Sequence, residues 1–220
     1  MRKITAIVFD FGGVLMDWNP HYLYRQFFGA DPEKIDGFLQ EIHFSDWNRQ
    51  LDQGCPFSEG IAKLVRDFPA YQELIQAYDE RWEETLAGPI QSSVDILREL
   101  KDRARTRANT GASARTNATG FSLYGLTNWS AEKFATIRHR YEFFDWFEAI
   151  VVSGEEKLIK PDPRIYQVLL QKIGQPASSC LFIDDSAANI AAAKNLGFDT
   201  ILFQSPDQLR MELIQRELLE

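Results

Sequence analysis

The chain opens with an apolar run, Ile4-Thr5-Ala6-Ile7-Val8-Phe9, that shows no polar alternation. A run this short and this continuous reads as a strand buried on both faces. It ends at Asp10, followed by Phe11-Gly12-Gly13-Val14-Leu15, where the glycines allow a sharp turn and a close approach of backbone to a bound group. From residue 17 to 88 the pattern is helical. Apolar and aromatic positions recur at helical spacing in Tyr22-Leu23-Tyr24-Arg25-Gln26-Phe27-Phe28 and in Ile35-Asp36-Gly37-Phe38-Leu39, and further helices fit 58–66 and 71–86. Pro20, Pro32, Pro56, Pro69 and Pro89 mark the loops of this stretch.

After Pro89 helices and strands alternate. The pattern predicts a helix over 93–101 with Val94, Leu97 and Leu100 on one face, a strand over 123–127, and a helix over 130–141 capped by Ser130. A strand over 149–153 is followed by a helix that Asp162-Pro163 opens and Gly174 closes. Leu181-Phe182-Ile183 reads as a strand ending in Asp184-Asp185, then a helix from Ser186 to Gly197, a strand over 200–203 and a terminal helix opened by Ser205-Pro206. Such alternation predicts an α/β fold: a doubly wound parallel sheet built from residues 1–16 and 89–220, with a small helical domain, 17–88, inserted after the first strand. Residues 103–121 break the pattern. Rich in Ala, Arg, Thr and Asn and without an apolar period, they read as a flexible low-complexity insertion within the core.

Composition narrows the function classes. The 220 residues are enough for one sizeable core and an accessory unit, and 45% hydrophobic with 25% charged residues is ordinary for a globular protein. A formal net charge of -8 argues against nucleic acid as a partner, and it requires any anionic substrate to be met by local positive charge or a metal. Met1-Arg2-Lys3 leads directly into the first strand, and no run approaches the length of a membrane span, so the expectation is a cytoplasmic protein with no membrane partner. Cys55 and Cys180 lie far apart, and Cys180 precedes a buried-looking strand, which favours a core thiol over a disulfide.

The polar residues that carry chemistry all fall at the same end of the expected strands. Asp10 follows the first, Thr127-Asn128 the second, Lys160-Pro161 comes after the third, and Asp184-Asp185 follows the fourth. Open parallel sheets bind their ligands at this edge. Acidic groups gathered there repel unless a cation sits between them, and carboxylate oxygens with room for water suit Mg²⁺. Mg²⁺ and Lys160 would neutralise a phosphate, Thr127 and Asn128 would donate hydrogen bonds to its oxygens, and Asp10 would attack phosphorus to give an aspartyl-phosphate.

Phe9-Asp10-Phe11-Gly12-Gly13-Val14-Leu15, Leu126-Thr127-Asn128, Lys160-Pro161-Asp162-Pro163-Arg164-Ile165-Tyr166 and Ile183-Asp184-Asp185-Ser186-Ala187-Ala188-Asn189 together resemble the four motifs of the haloacid dehalogenase (HAD) superfamily. Within it the chain is similar to sugar-phosphate phosphatases of the glucose-1-phosphatase kind and to the phosphatase domain of soluble epoxide hydrolases. The resemblance implies that residues 17–88 are the family's cap, that Asp10 is the nucleophile and a metal ligand, and that Lys160 stabilises phosphoryl charge. It further implies that Thr127 and Asn128 bind the phosphoryl group, and that Asp185 and the Gly12 carbonyl ligate Mg²⁺. Asp184 would support them, Asn189 would hold metal-bound water, and the first and fourth strands would be neighbours. The partner so implied is a small phosphorylated metabolite; no motif encodes which one, nor the oligomeric state. Cap residues would choose it, with Trp18, Asp46, Trp47 and Asn48 as candidates, Trp47 fitting cap core better.

Gly12 departs from the family pattern. Many members carry an Asp two residues after the nucleophile as general acid and base, and a group of that kind is worth roughly 10²–10⁴ in rate. A 2-haloacid dehalogenase, which attacks carbon without a metal, is an alternative that the acid pair Asp184-Asp185 disfavours. A phosphomutase would need the acid that Gly12 lacks. A weakly active phosphate-binding protein is the remaining alternative, while in a receiver domain the acid pair would follow the first strand rather than the fourth.

Overall fold

All four residues of the first strand, β1 (Ala6–Phe9), are fully buried. Ile7 and Phe9 join one apolar cluster, Ala6 and Val8 another, as alternation across a strand requires when both faces are covered. The computed structural model in which this is seen describes residues 3–29, 31–109 and 120–220.

A short strand, β2 (Met16–Trp18), leads from β1 into helices α1 (Pro20–Phe28), α2 (Pro32–Glu41), α3 (Phe44–Asp52), α4 (Phe57–Asp67) and α5 (Gln72–Glu80). The chain leaves them through β3 (Leu86–Pro89), which pairs antiparallel with β2. That ribbon was not expected. The helix predicted over 71–86 stops at Glu80, a 3₁₀ turn covers Trp82–Thr85, and residues 86–89 are strand. Pairing with a segment far away in the chain decides their conformation, and a stretch so short shows no period of its own. The helix α3 was likewise not predicted, although Phe44, Trp47 and Leu51 place its buried side on one face.

The alternating half follows as α6 (Gln91–Asn109), β4 (Ser122–Thr127), α7 (Ala131–Ile137), β5 (Ala149–Val152), α8 (Ser153–Glu156), α9 (Pro163–Ile173), β6 (Cys180–Asp184), α10 (Ala187–Asn195), β7 (Asp199–Leu202) and α11 (Pro206–Gln215). The five main strands form one parallel sheet in the order β5-β4-β1-β6-β7. This is a doubly wound α/β sheet, with the first strand in the middle and beside the strand that ends in Asp184.

The helix expected to end at Lys101 continues to Asn109, so the beginning of the 103–121 stretch is helical rather than loop. Ala and Arg are strong helix formers, and propensity carries the helix on where an apolar period is lacking. Ala104 still packs against the core, and Arg103 pairs with Glu220 at 3.2 Å. At the far end Phe121 is buried, and residues 110–119 lie outside the described residues. Cys180 is buried and both cysteines are free thiols. Among the described residues no helix is long and apolar enough to cross a membrane.

The helical layer α1–α5 rests on the sheet through specific bonds. The Phe57 N–H donates to Glu132, Lys133 pairs with Asp79 at 2.5 Å, and the Ser153 hydroxyl donates to the Asp52 carbonyl at 2.5 Å. These contacts place the ends of α3 and α5 over the edge where the sheet's polar residues emerge.

Candidate active site

Asp10 extends β1 by one more bond to β6, its N–H donating to the Ile183 carbonyl at 2.9 Å. Phe11 is fully buried just beyond it, and Gly125 makes the room: a Cβ there would lie 2.4 Å from the Phe11 ring. With both neighbours anchored, the Asp10 carboxylate is held at the sheet edge. Its Oδ1 accepts from the Phe11 N–H at 2.7 Å and its Oδ2 faces the Lys160 ammonium at 2.9 Å.

Lys160 is buried among acceptors. Its Nζ donates to the Leu126 carbonyl at 3.0 Å, to Asp184 at 2.7 Å and to Asp10, using all three of its protons. The Asn128 side chain clamps the Lys160 backbone, accepting from its N–H at 2.9 Å and donating to its carbonyl at 3.1 Å. The Asn128 amide thus positions Lys160 with its oxygen and one of its two N–H groups, and the residue also lines the cavity described below. Its neighbour Thr127 differs: the hydroxyl is buried and has no hydrogen-bond partner among the described residues. Such a group marks a place where a ligand atom completes the bonding.

Asp184 is fully buried and saturated. The Ser186 N–H and the Asn189 amide donate to Oδ1 at 2.8 and 3.0 Å, while Lys160 and Asn189 reach Oδ2. Asn189, expected to hold metal-bound water, donates its amide N–H groups to Asp184. Ser186 likewise contributes its backbone to Asp184, and its side chain makes no capping bond. Asp185 is the exposed acid of the pair. Oxygens of Asp10, Asp184 and Asp185 lie within 4.8 Å of one another, a spacing that suits a cation. Gly13 closes one side: its φ is +71°, and a Cβ there would sit 2.2 Å from Asp185 Oδ2. Gly12 is the opposite case, with nothing within 4 Å of a Cβ.

The charges are frustrated as they stand. Burial, opposed by Lys160 and reinforced by Asp184 and Asp185, pushes the Asp10 carboxyl up to about 8. Asp185, though exposed overall, is raised as well, by partial desolvation of its carboxyl and by Asp184. Burial works against the Lys160 ammonium, and Asp10 with Asp184 outweighs it, leaving its pKa raised. A further cation is what would let Asp10 ionise fully at neutral pH.

Between the loops that follow Asp10 and Thr127 and the helical layer lies a cavity of about 100 Å³. The sheet contributes Gly12, Asn128 and Ser130 to its wall, and the helical layer contributes Asn48 and Asp52 from α3 and Tyr78 from α5. Trp18, Trp82 and Trp129 add aromatic surface, the last two with ring centroids 5.7 Å apart. Of the residues expected to choose the substrate, Trp18 and Asn48 line this cavity. Trp47 is buried in the helical layer with its indole N–H on the Gly60 carbonyl at 3.0 Å, and Asp46 lines a separate surface depression.

Residues 4–197 match the family model described as haloacid dehalogenase-like hydrolase. The chain belongs to that family. Among its HAD relatives, D-ribitol-5-phosphate phosphatase of Bacteroides thetaiotaomicron is 23% identical over 96% of this chain and 97% of its own length. Sesquiterpene phosphatase astK of Aspergillus oryzae is 28% identical over 87% of this chain and 86% of its own. Drimenol cyclase drtB of Aspergillus calidoustus is 25% identical over 96% of this chain, which spans only 36% of that larger protein. Two solved structures share the fold. A HAD family enzyme from Bacteroides thetaiotaomicron, in complex with magnesium and inorganic phosphate, superposes with a TM-score of 0.63 at 22% identity, over 91% of this chain and 94% of that one. L-2-haloacid dehalogenase from Xanthobacter autotrophicus, with chloropropionic acid covalently bound, gives 0.60 at 19% identity, over 99% and 85%.

Against the HAD motifs, sequence reasoning missed Asp52 and Tyr78. Both belong to the helical layer, where no motif marks them. The available signal was the Asn48–Asp52 spacing of one helical turn just before Gly54, and it is weak.

Proposed function

We propose that the chain is a Mg²⁺-dependent phosphatase that hydrolyses a small phosphate monoester through an aspartyl-phosphate on Asp10. The observation that carries this reading is the Asp10–Lys160–Asp184–Asp185 cluster beside the unpaired Thr127 hydroxyl. The phosphatase names of the relatives and the magnesium and phosphate held by the structural neighbour support it.

Asp10, Asp185 and the Gly12 carbonyl would hold the metal; Asp184, already saturated, would fix Lys160 and Asn189 around it. When bound, Mg²⁺ supplies charge neutralisation for the phosphoryl oxygens. The Asp10 carboxylate attacks phosphorus, the ester oxygen departs with the alcohol, and water then cleaves the acyl phosphate and restores Asp10. Lys160 holds negative charge at the reacting group, and the Thr127 hydroxyl donates to a phosphoryl oxygen. Residues 17–88 act as a cap whose α3 and α5 side chains enclose the alcohol portion of the substrate.

The test is a panel of phosphate monoesters assayed with Mg²⁺ and with a chelator, for the wild type and Asp10→Asn. Phosphate release that requires the metal and is lost in a folded Asp10→Asn protein is expected. Chelator-resistant activity, especially halide release from a 2-haloacid, would move the assignment to the dehalogenase reading.

A further inference from the structure

We propose that Asp52 is the group that protonates the leaving alcohol and then activates water, the task that position 12 cannot perform in this chain. The proposal rests on the phosphatase reading above.

Gly12 has no side chain, and the space a side chain there would enter is open. Gly12 lines the cavity whose wall on the helical side carries Asp52. Asp52 shares this cavity wall with Ser130, three residues beyond the unpaired Thr127 hydroxyl, and the Ser130 backbone is near enough to favour its charged form. Its own carbonyl accepts from Ser153, which fixes the end of α3 against the sheet.

The carboxyl is oriented as well as placed. Tyr78 donates to Asn48 Oδ1 at 2.7 Å, and Asn48 Nδ2 donates to Asp52 Oδ2 at 3.0 Å. This relay, running from α5 to α3 and one turn along it, settles which way the carboxyl faces. Burial, opposed by the Ser130 backbone, raises its pKa to about 7. A group poised near neutrality can both give and take a proton. A carboxyl placed there only to dock the cap would serve better with a partner that keeps it ionised.

As Asp10 forms its O–P bond and the ester P–O bond breaks, the protonated Asp52 gives its proton to the departing oxygen, which leaves as the alcohol. Asp52, now a carboxylate, takes one proton from the water that attacks the aspartyl-phosphate. Inorganic phosphate leaves, and both aspartates return to their starting states.

The experiment compares an alkyl phosphate with 4-nitrophenyl phosphate in the wild type, Asp52→Asn, Gly12→Asp and the double variant, with Mg²⁺ present. Release of the alcohol or phenol in the first turnover is followed separately from steady turnover. In Asp52→Asn the alkyl phosphate should lose roughly 10²–10⁴ in first-turnover rate, the size of acid catalysis. 4-Nitrophenol, which departs unaided, should appear in a burst of about one equivalent, followed by slow turnover because water is no longer activated. Gly12→Asp should restore alkyl-phosphate turnover in the Asp52→Asn background. Alkyl-phosphate turnover unchanged in Asp52→Asn, or equal first-turnover losses for both substrates in a folded protein, would overturn the role given to Asp52 while leaving the phosphatase reading intact. A wild type that releases phosphate from no ester would overturn both.

Discussion

At the sheet edge, the partners a polar side chain has, or lacks, sort its role. Asp184 accepts four hydrogen bonds and Lys160 donates three, so these two are spent on one another and on their neighbours. Asp185 and the Thr127 hydroxyl keep capacity for something else. Asp52 is held in a half-buried place that disfavours its charge, and this has a measurable consequence for stability. Its pKa rises from 3.8 to about 7 on folding, so the folded protein holds a proton that the unfolded chain releases. The contribution of Asp52 to stability therefore falls as pH rises from about 4 to about 7, and the penalty persists above that range. The groups facing Asp52 are Asn48, the Ser130 backbone and, through Asn48, the Tyr78 hydroxyl; none of them titrates in this window. Asp52→Asn should thus match the wild type near pH 4 and exceed it near pH 8, by on the order of 1–4 kcal/mol, since a tenfold change in proton affinity corresponds to about 1.4 kcal/mol. Urea unfolding at the two pH values checks this, and a variant less stable than the wild type at pH 8 would contradict the burial argument. A gain in stability also separates lost activity from lost fold.

At the level of elements, the sheet presents the candidate site at one end of its strands. The chain enters β4 at Ser122 and delivers Thr127 at the opposite edge. Six residues of strand span roughly 17–20 Å. The boundaries matter more than the sequence pattern suggested, because α6 extends to Asn109, Ala104 packs on the core and Phe121 is buried. Replacing 110–119 with a short Gly-Ser linker should leave kcat within about twofold and the unfolding midpoint within about 2 °C, because closure entropy changes only slowly with the length of a connection. A replacement that cuts back to 103–121 removes packed residues and should cost on the order of 2–5 kcal/mol, mainly through Phe121. Kinetics and thermal unfolding of the two variants tell the cases apart, and lost activity in the shorter replacement would show that this connection acts on substrate.

For the molecule as a whole, the order β5-β4-β1-β6-β7 is what brings the parts of the site together. β1 lies between β4 and β6, so Asp10, Thr127 and Asp184 emerge side by side although they are distant in the chain. The helical layer closes over that edge and encloses the cavity between the two. Gathering three carboxylates there has a stability cost that a bound cation relieves. Mg²⁺ at a hundredfold excess over its Kd should stabilise the fold by about 2.7 kcal/mol, a rise of roughly 5–10 °C in Tm for a chain of this size. Asp185→Asn should remove most of that rise. A thermal shift identical in the presence and absence of Mg²⁺ would rule out a cation site in the cluster.

The apolar pattern alone determined the buried first strand, the alternation that follows Pro89 and the identity of the acids at the strand ends. Burial on a face or on both sides leaves a local, periodic trace, and glycine and proline mark where it stops. Three features came only with the tertiary structure. One is the β2–β3 ribbon, whose residues take strand conformation because a partner from the other end of the helical stretch pairs with them. Another is the assignment of partners: Asn128 to the Lys160 backbone, Asn189 to Asp184, and Asn48 to Asp52 under Tyr78. The last is the place of Asp52 on the wall of the cavity that Gly12 also lines. Residues that meet across two layers share no period and no spacing, so only the packing of one layer on the other decides which of them touch.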